Sequence, residues 1–191
     1  MDKNNQQVQW WLDFSFNSIT NTIYIGDPDN DDGDIGPKTS AEAIKAIHLL
    51  DRGKTAENTI TVLINSSGGS VFDGLAIYDT LTACKSFVHT HTIGQCCSIA
   101  MAILQAGDTR TASPNSWLMV HDGQAEDGKI DTRDVDSLKY ITDRQKWQYY
   151  SILAGKSKLS TKDWEEKCRS DYWMSAQDAL ELELIDEVKN I

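Results

Sequence analysis

The stretch NTITVLINSSGGSVFDGLAIYDTLTACK, residues 58–85, decides the fold class of this chain. Its first part, NTITVLI (58–64), is rich in β-branched residues and predicts a buried strand. A glycine pair and a serine end that strand, and residues 71–85 predict a helix. The residues of this helix that we expect to face inward are Leu75, Tyr78 and Leu81. A strand that passes through a glycine turn into a helix is typical of a parallel sheet with crossover helices.

The same alternation of strands and helices continues on both sides of this stretch. Further strands are predicted at 21–27, 86–93 and 116–121, and further helices at 97–107, 131–154 and 160–168. Strands and helices in this order imply right-handed crossovers and a largely parallel sheet, so the fold class is α/β.

Two capping boxes mark the starts of two more helices. Thr39 with Glu42 precedes a helix that we expect to end at Gly53, and Ser175 with Asp178 precedes the last helix. Residues 1–20 show no sustained period and are interpreted as an N-terminal arm. Residues 21–191 contain neither repeats nor a linker, so we expect one domain there.

The composition and charge of the chain argue against several classes of protein. Its 191 residues carry a formal net charge of −11 and the isoelectric point is near 4.7. This charge disfavours a nucleic acid or an anionic membrane as the main partner. The segment MDKNNQQVQW is polar, and no apolar run approaches the ~20 residues of a membrane span. We therefore expect a cytoplasmic protein with neither a nucleic-acid nor a membrane partner.

Two further patterns contain residues that can bind metal ions, but neither predicts a metal site. The chain has four cysteines, which are Cys84, Cys96, Cys97 and Cys168. They form no C-x-x-C pair, so reduced and mostly buried thiols are expected. The acidic stretch 27–37 suggests a calcium loop, but an EF-hand would need glycine in place of Asp32 and glutamate in place of Lys38. A solvated acidic turn is predicted instead.

The segment GQCCSIAM (94–101) places Ser98 at the predicted start of a helix of small residues. A serine becomes a nucleophile only with a histidine base, an orienting carboxylate and donors for an oxyanion. The start of a helix has free N–H groups, so the N–H of Ile99 is a candidate donor. The alternative is that Ser98 only caps the helix.

The four histidines differ in where the predicted elements place them. His121 ends a predicted strand, where α/β sheets place their sites. His48 lies on a predicted helix and His89 and His91 lie within a strand, so we expect these three to be surface or packing residues. His121 is therefore the candidate base.

Four blocks of the sequence resemble the proteolytic subunit of Clp protease, the ClpP family, in order and spacing. They are INSSGGSVFDGLAIYDT (64–80), GQCCSIAMAILQAG (94–107), PNSWLMVH (114–121) and DYWMSAQDALELELIDEV (171–188). The resemblance covers residues 21–188. It implies a serine endopeptidase with the ClpP/crotonase-like fold and a protruding helix–strand handle.

The resemblance also assigns roles to single residues. It implies Ser98 as the nucleophile, His121 as the general base, Asp171 as the orienting carboxylate, and the N–H groups of Gly69 and Ile99 as oxyanion donors. It implies neither a metal nor another cofactor. The segments Gly69–Val71 and Asp122–Ile130 match the strands that hold a substrate as an added β-strand.

The partners implied by the resemblance are an unfolded protein or peptide as substrate, and other copies of the chain. The family stacks two heptameric rings into a tetradecamer that encloses the sites, and the helix at 131–154 matches the part that interdigitates between rings. An AAA+ unfoldase docks in apolar pockets of the ring in this family. The matching residues here are small or polar, namely Ala83, His91, Thr111 and Ser113, so we expect weakened docking, as in a divergent and phage-type member.

The chain departs from the family pattern at a few other positions. Ser67 replaces a proline, Cys96 and Cys97 replace small residues, Ile99 replaces a methionine, and Glu183 replaces a glycine that ends a helix. Three alternatives stay open. They are a non-catalytic ring or assembly subunit, a peptidase like signal peptide peptidase A with a serine–lysine pair, and a crotonase-type acyl-CoA enzyme.

Overall fold

A mostly parallel sheet carries the fold in the computed structural model, which describes residues 15–26, 35–55, 58–123 and 135–191. Its strands are β1 (Phe16–Asn17), β2 (Thr22–Ile25), β3 (Ile60–Ser66), β4 (Val88–Cys97), β5 (Thr109–Ala112), β6 (Trp117–Val120), β7 (Tyr172–Ser175) and β8 (Glu187–Val188). The helices are α1 (Pro37–Leu50), α2 (Val71–Thr82), α3 (Ile99–Gln105), α4 (Val135–Ala154), α5 (Thr161–Lys167) and α6 (Ala176–Glu181). The predicted α/β class is confirmed.

The strand order is β1-β2-β3-β4-β5-β8, and β6 and β7 extend the sheet beside the second half of β4. The pairs β2–β3, β3–β4, β4–β5, β4–β6 and β5–β8 are parallel, whereas β1–β2 and β6–β7 are antiparallel. β4 therefore contacts β5 with its first half and β6 with its second half. This division brings the C-terminal end of β4 beside the end of β6.

The prediction for the region between 86 and 107 was wrong at one boundary. The strand continues to Cys97, and the helix begins at Ile99 rather than at 97. Cys96 and Cys97 are held in β4 because they pair with Leu118 and Met119 of β6. This pairing joins residues distant in the chain, so the local pattern of small residues did not reveal it.

The buried face of helix α2 differs from the predicted face by one residue at two of its three positions. Its buried residues are Gly74, Ile77 and Leu81, while Leu75 and Tyr78 are only partly buried. A Cβ added to Gly74 would lie 2.3 Å from Cγ1 of Ile99, so only a glycine allows α2 to approach α3 this closely. Ser70 caps α2, since its side chain accepts a hydrogen bond from the N–H of Asp73.

The helix starts were predicted with mixed success. The capping box of Ser175 with Asp178 is confirmed. The box of Thr39 with Glu42 is wrong, because the N-cap of α1 is Gly36, three residues before Thr39, and the helix begins at Pro37, a residue suited to the first position of a helix. Glu183 has a φ of 63°, so the position that the family gives to glycine does require left-handed backbone here.

The long helix α4 stands out from the sheet at its start and enters the core at its end. Residues 135–144 are all exposed, whereas Tyr149, Tyr150 and Leu153 are buried. This protruding helix agrees with the helical part of the predicted handle. Most of the strand part, residues 27–34 of the acidic stretch and most of the N-terminal arm lie outside the described residues. Among the described helices, none is long and apolar enough to cross a membrane.

A buried arginine joins the C-terminal segment to the rest of the domain. The Arg110 side chain is 10% exposed and its Nη2 lies 2.6 Å from Oδ1 of Asp186. Its Nη1 donates to Oε1 of Gln105 at 3.0 Å and to the carbonyl of Lys156 at 2.8 Å. Because Gln105 ends α3, this network fixes the far end of the helix that begins beside Ser98.

Asp186→Asn is expected to lower the free energy of unfolding by about 2 kcal/mol at pH 7, between the values for exposed and buried ion pairs. Burial raises the pKa of Asp186, but the hydrogen bonds and charge of Arg110 outweigh burial and hold the pKa below its usual value. Such a carboxylate stabilises the fold fully above its unfolded pKa of about 4, and the contribution is lost as the pH falls through the folded pKa. Urea titrations should therefore show the two proteins converging below about pH 4.

Lys189→Met is the control for this measurement. It removes a more exposed ion pair, in which Nζ of Lys189 lies 2.9 Å from Oε2 of Glu187. A pair of this kind contributes at most ~1 kcal/mol. Equal losses in the two variants would contradict the role assigned to the Arg110 network.

Candidate active site

Three strand ends meet at one edge of the sheet and carry the three predicted triad residues. Cys97 at the end of β4 pairs with Met119 of β6, and Val120 of β6 pairs with Tyr172 of β7. Ser98 follows β4, His121 follows β6, and Asp171 precedes β7. Because β6 and β7 are antiparallel, their register places His121 opposite Asp171.

Ser98 lies in a tight turn between β4 and α3. Its backbone has φ 54° and ψ −128°, a conformation that non-glycine residues seldom adopt and that is typical of functional sites. The N–H of Ser98 donates to the carbonyl of Met119 at 2.8 Å. The Ser98 side chain makes no capping hydrogen bond to α3, so the alternative that Ser98 only caps the helix is not supported.

The side chains of Ser98, His121 and Asp171 form a chain of contacts. Oγ of Ser98 lies 2.9 Å from Nε2 of His121, a hydrogen-bond distance. Nδ1 of His121 lies 3.4 Å from Oδ1 of Asp171. This second contact is longer than an ordinary hydrogen bond, and the Asp171 side chain is 59% exposed. The structure therefore brings all three predicted residues together, with the carboxylate as the loosest member.

The glycine pair after β3 packs directly against Ser98. A Cβ added to Gly68 would lie 2.6 Å from Cβ of Ser98, and φ at Gly68 is 115°. The next residue, Gly69, has φ 135°, and a Cβ there would lie 2.4 Å from the carbonyl oxygen of Ile35. Both space and backbone angle therefore require glycine at these two positions.

Ile35 fixes the path of this glycine loop by a parallel bridge. Its N–H donates to the carbonyl of Gly68 at 2.6 Å, and its carbonyl accepts from the N–H of Ser70 at 2.8 Å. Gly68 and Ser70 are the two neighbours of Gly69. In a parallel bridge the middle residue directs its own N–H away from the bridging residue, which here is Ile35. The N–H of Gly69 is therefore not used by Ile35.

The cysteines near Ser98 are poor nucleophiles. Cys96, Cys97 and Cys168 are buried, Cys84 is partly buried, and all four are free thiols, as predicted. Burial, and then the charge of Asp171, raises the pKa of Cys97 to about 11. Burial likewise raises the pKa of Cys96. Both thiols therefore stay protonated at neutral pH and fill space in β4.

Among the other histidines, His48 is a surface residue and His91 a packing residue, as predicted. His48 is exposed on α1. His91 is fully buried, and its Nδ1 and Nε2 lie 2.6 Å from Oγ1 of Thr111 and 3.0 Å from Oγ of Ser113. Burial, followed by the charges of His89 and Lys189, lowers the pKa of His91 to about 4, so it is neutral at pH 7.

Helix α4 supplies contacts to the site that the sequence interpretation missed. The hydroxyl of Tyr149 donates to the carbonyl of Ser98 at 2.9 Å. The hydroxyl of Tyr150 donates to Oδ1 of Asp122, and Nζ of Lys146 lies 3.0 Å from Oδ2 of the same carboxylate. Positions 146, 149 and 150 share one face of a helix, which is the only sequence signal that could have grouped them.

Two other predictions are only partly covered. Of the substrate-holding segment Asp122–Ile130, the structure describes only Asp122 and Gly123. Within residues 15–26, 35–55, 58–123 and 135–191, no group of three or more His, Cys, Asp or Glu side chains is placed to hold a metal ion.

A family model and several known proteins match most of the chain. Residues 31–191 match the family model described as Clp protease. A protein of Bacteroides fragilis named ATP-dependent Clp protease proteolytic subunit is 41% identical over 148 residues, which are 73% of this chain and 66% of the relative. The protein of the same name from Bacteroides thetaiotaomicron is also 41% identical over 148 residues, 73% of this chain and 62% of the relative. The matched part thus spans less than two thirds of the length of both Bacteroides relatives.

A more distant relative matches a longer part of the chain. The ATP-dependent Clp protease proteolytic subunit 1 of Salinibacter ruber is 31% identical over 176 residues, which are 88% of this chain and 70% of the relative. The match to this protein therefore includes parts of the chain that the match to the Bacteroides relatives leaves out.

Proposed function

The chain belongs to the Clp protease family, and we propose that it is a ClpP-type serine endopeptidase that hydrolyses peptide bonds of unfolded proteins or peptides. The single observation that carries this proposal is the contact of Ser98 Oγ with His121 Nε2 at 2.9 Å, with Asp171 on the other nitrogen of the ring. A serine alone is a weak nucleophile, and this contact provides the base that it needs.

The proposed reaction uses the three side chains in the usual order. Nε2 of His121 accepts the proton of Ser98, and Oγ attacks the peptide carbonyl carbon. The imidazolium then donates this proton to the leaving amine, and a water molecule activated by His121 hydrolyses the acyl-enzyme. The carboxylate of Asp171 orients His121 and stabilises its charged form.

Backbone N–H groups are proposed to stabilise the oxyanion of the tetrahedral intermediate. The N–H of Gly69 is not used by Ile35, and the glycine loop lies against Ser98. Ile99 is the first residue of α3, where the N–H groups have no acceptor within the helix. Together Gly69 and Ile99 supply two donors on either side of the nucleophile.

We propose that the catalytic unit is a tetradecamer of two heptameric rings, with the protruding α4 between the rings, as the resemblance to the family implies. The proposed surface for an AAA+ unfoldase is altered in this chain. Of the residues expected there, His91 and Thr111 are fully buried, and His91 hydrogen-bonds to both Thr111 and Ser113, so these three residues form no apolar pocket. We therefore propose that docking of an apolar loop there is weakened.

Labelling with a fluorophosphonate tests the proposed function. The full chain is treated with the reagent, and mass spectrometry of the intact protein and of its peptides locates the adduct. We expect one adduct per chain on Ser98, and none after the protein is unfolded in urea. A folded oligomer that repeatedly fails to react would favour the non-catalytic ring subunit. An adduct that depends on a lysine rather than on His121 would favour the signal-peptide-peptidase-A type.

A further inference from the structure

The peptide unit that joins Ser98 to Ile99 carries two groups with different tasks. Its N–H belongs to Ile99 and is one of the two proposed oxyanion donors. Its carbonyl belongs to Ser98 and points to the opposite side, because a peptide unit is planar and trans. Any group that fixes the carbonyl therefore also fixes the direction of the N–H.

The hydroxyl of Tyr149 donates a hydrogen bond to this carbonyl. Its oxygen lies 2.9 Å from the Ser98 oxygen, which also accepts from the N–H of Met101 at 3.0 Å. Tyr149 is 8% exposed and belongs to the core cluster, so its ring has little freedom to turn away. Burial raises the pKa of Tyr149 well above its usual value, and the hydroxyl therefore keeps the proton that it donates.

The peptide unit needs such support because its backbone is strained. Ser98 has a φ of 54°, and conformations of this kind persist only where the surroundings determine them. The side chain of Ile99 is fixed as well, since it packs against Gly74 so closely that a Cβ there would lie 2.3 Å from it. Tyr149 and Gly74 thus support the two residues of the unit from two different helices.

We propose that Tyr149 is a positioning residue of the active site, which holds the Ser98–Ile99 peptide unit so that the N–H of Ile99 faces the oxyanion. This inference rests on the proposed peptidase function. Tyr149 touches neither the substrate nor the reacting atoms. It acts through the backbone, and the oxyanion exists only after the nucleophile has attacked.

Tyr149→Phe tests the proposal, because it removes the hydroxyl and keeps the ring in the core. We expect kcat for a peptide substrate to fall about 10-fold, less than for complete loss of an oxyanion donor, since the N–H of Met101 still bonds to the carbonyl. KM should change less than about 2-fold, because the ground state has no oxyanion. The inhibition constant of a peptide boronate, whose adduct places an oxygen in the oxyanion site, should rise about 10-fold.

The matched control is Ser157→Ala. Ser157 accepts a hydrogen bond from Nε1 of the buried Trp164 at 2.9 Å, and it has no hydrogen bond to the site residues. This variant should lower the melting temperature like Tyr149→Phe but keep the kcat and the boronate inhibition of the wild type. If both variants lose kcat in proportion to their melting temperatures, the role of Tyr149 is only structural and the proposal is overturned.

The outcomes also separate this inference from the proposed function. If fluorophosphonate does not label Ser98 in the wild type, the peptidase function itself fails. If the wild type is labelled and Tyr149→Phe has the kcat and boronate inhibition of the wild type, only the positioning role fails. A fall in kcat with unchanged KM and weaker boronate binding supports both.

Discussion

Ser98→Ala is expected to reduce peptide hydrolysis at least ~10⁴-fold, the scale of losses seen when a triad serine is removed. The substitution removes the Oγ that lies 2.9 Å from Nε2 of His121 and leaves the backbone contacts of residue 98 in place. The protein should therefore fold, with a melting temperature within a few degrees of the wild type. Hydrolysis of an unfolded, fluorescently labelled protein measures the loss, and differential scanning calorimetry checks the fold.

The partner of Ser98 provides an internal control. His121→Ala should cause a loss of the same order, and the double variant should be no worse than either single one, because the two residues act as a unit. Losses that simply multiply would indicate that Ser98 and His121 act independently. Retained hydrolysis by Ser98→Ala would remove Ser98 from the mechanism altogether.

Gly69→Ala is expected to reduce kcat by ~10²–10³-fold, the typical effect of losing one oxyanion donor. The new Cβ would lie 2.4 Å from the carbonyl oxygen of Ile35, and the residue would have to keep a φ of 135°. Both constraints force the loop to move, and the N–H of residue 69 moves with it. Single-turnover kinetics with an activated ester measure the effect on acylation directly.

Gly53→Ala separates backbone strain from displacement of the donor. Gly53 has a φ of 109°, similar to that of Gly69, but no atom lies within 4 Å of an added Cβ. This variant should lose about 1 kcal/mol of stability and keep its kcat. If Gly69→Ala also loses stability but keeps its kcat, the N–H of Gly69 is not an oxyanion donor.

Much of the fold and two of the site residues, Ser98 and His121, could be predicted because their signals are local. The β-branched run before the glycine pair specifies β3, and the capping serines specify the starts of α2 and α6. Ser98 stands at the predicted start of a helix and His121 directly after a predicted strand, and both positions can be revealed by a local pattern. Asp171 could be named only by resemblance, since its place opposite His121 depends on the antiparallel register of β6 and β7.

Other features could not be predicted because they depend on residues far apart in the chain. The length of β4 depends on pairing with β6, so the cysteines that looked like part of a helix belong to a strand. The orientation of α2 depends on the close approach of Gly74 to Ile99. No periodicity within a single segment contains either contact.

The sequence by itself determined the α/β class and the glycine loop and indicated a candidate nucleophile and a candidate base, because propensity, glycine chemistry and the ends of elements act over a few residues. Only the tertiary structure decided how these parts are held. The carbonyl of Ser98 meets the hydroxyl of Tyr149 across 51 positions of the chain, and helix α4 makes that contact only after it packs on the sheet. Such a contact follows from the packing of the whole core, and a single stretch of sequence does not contain it.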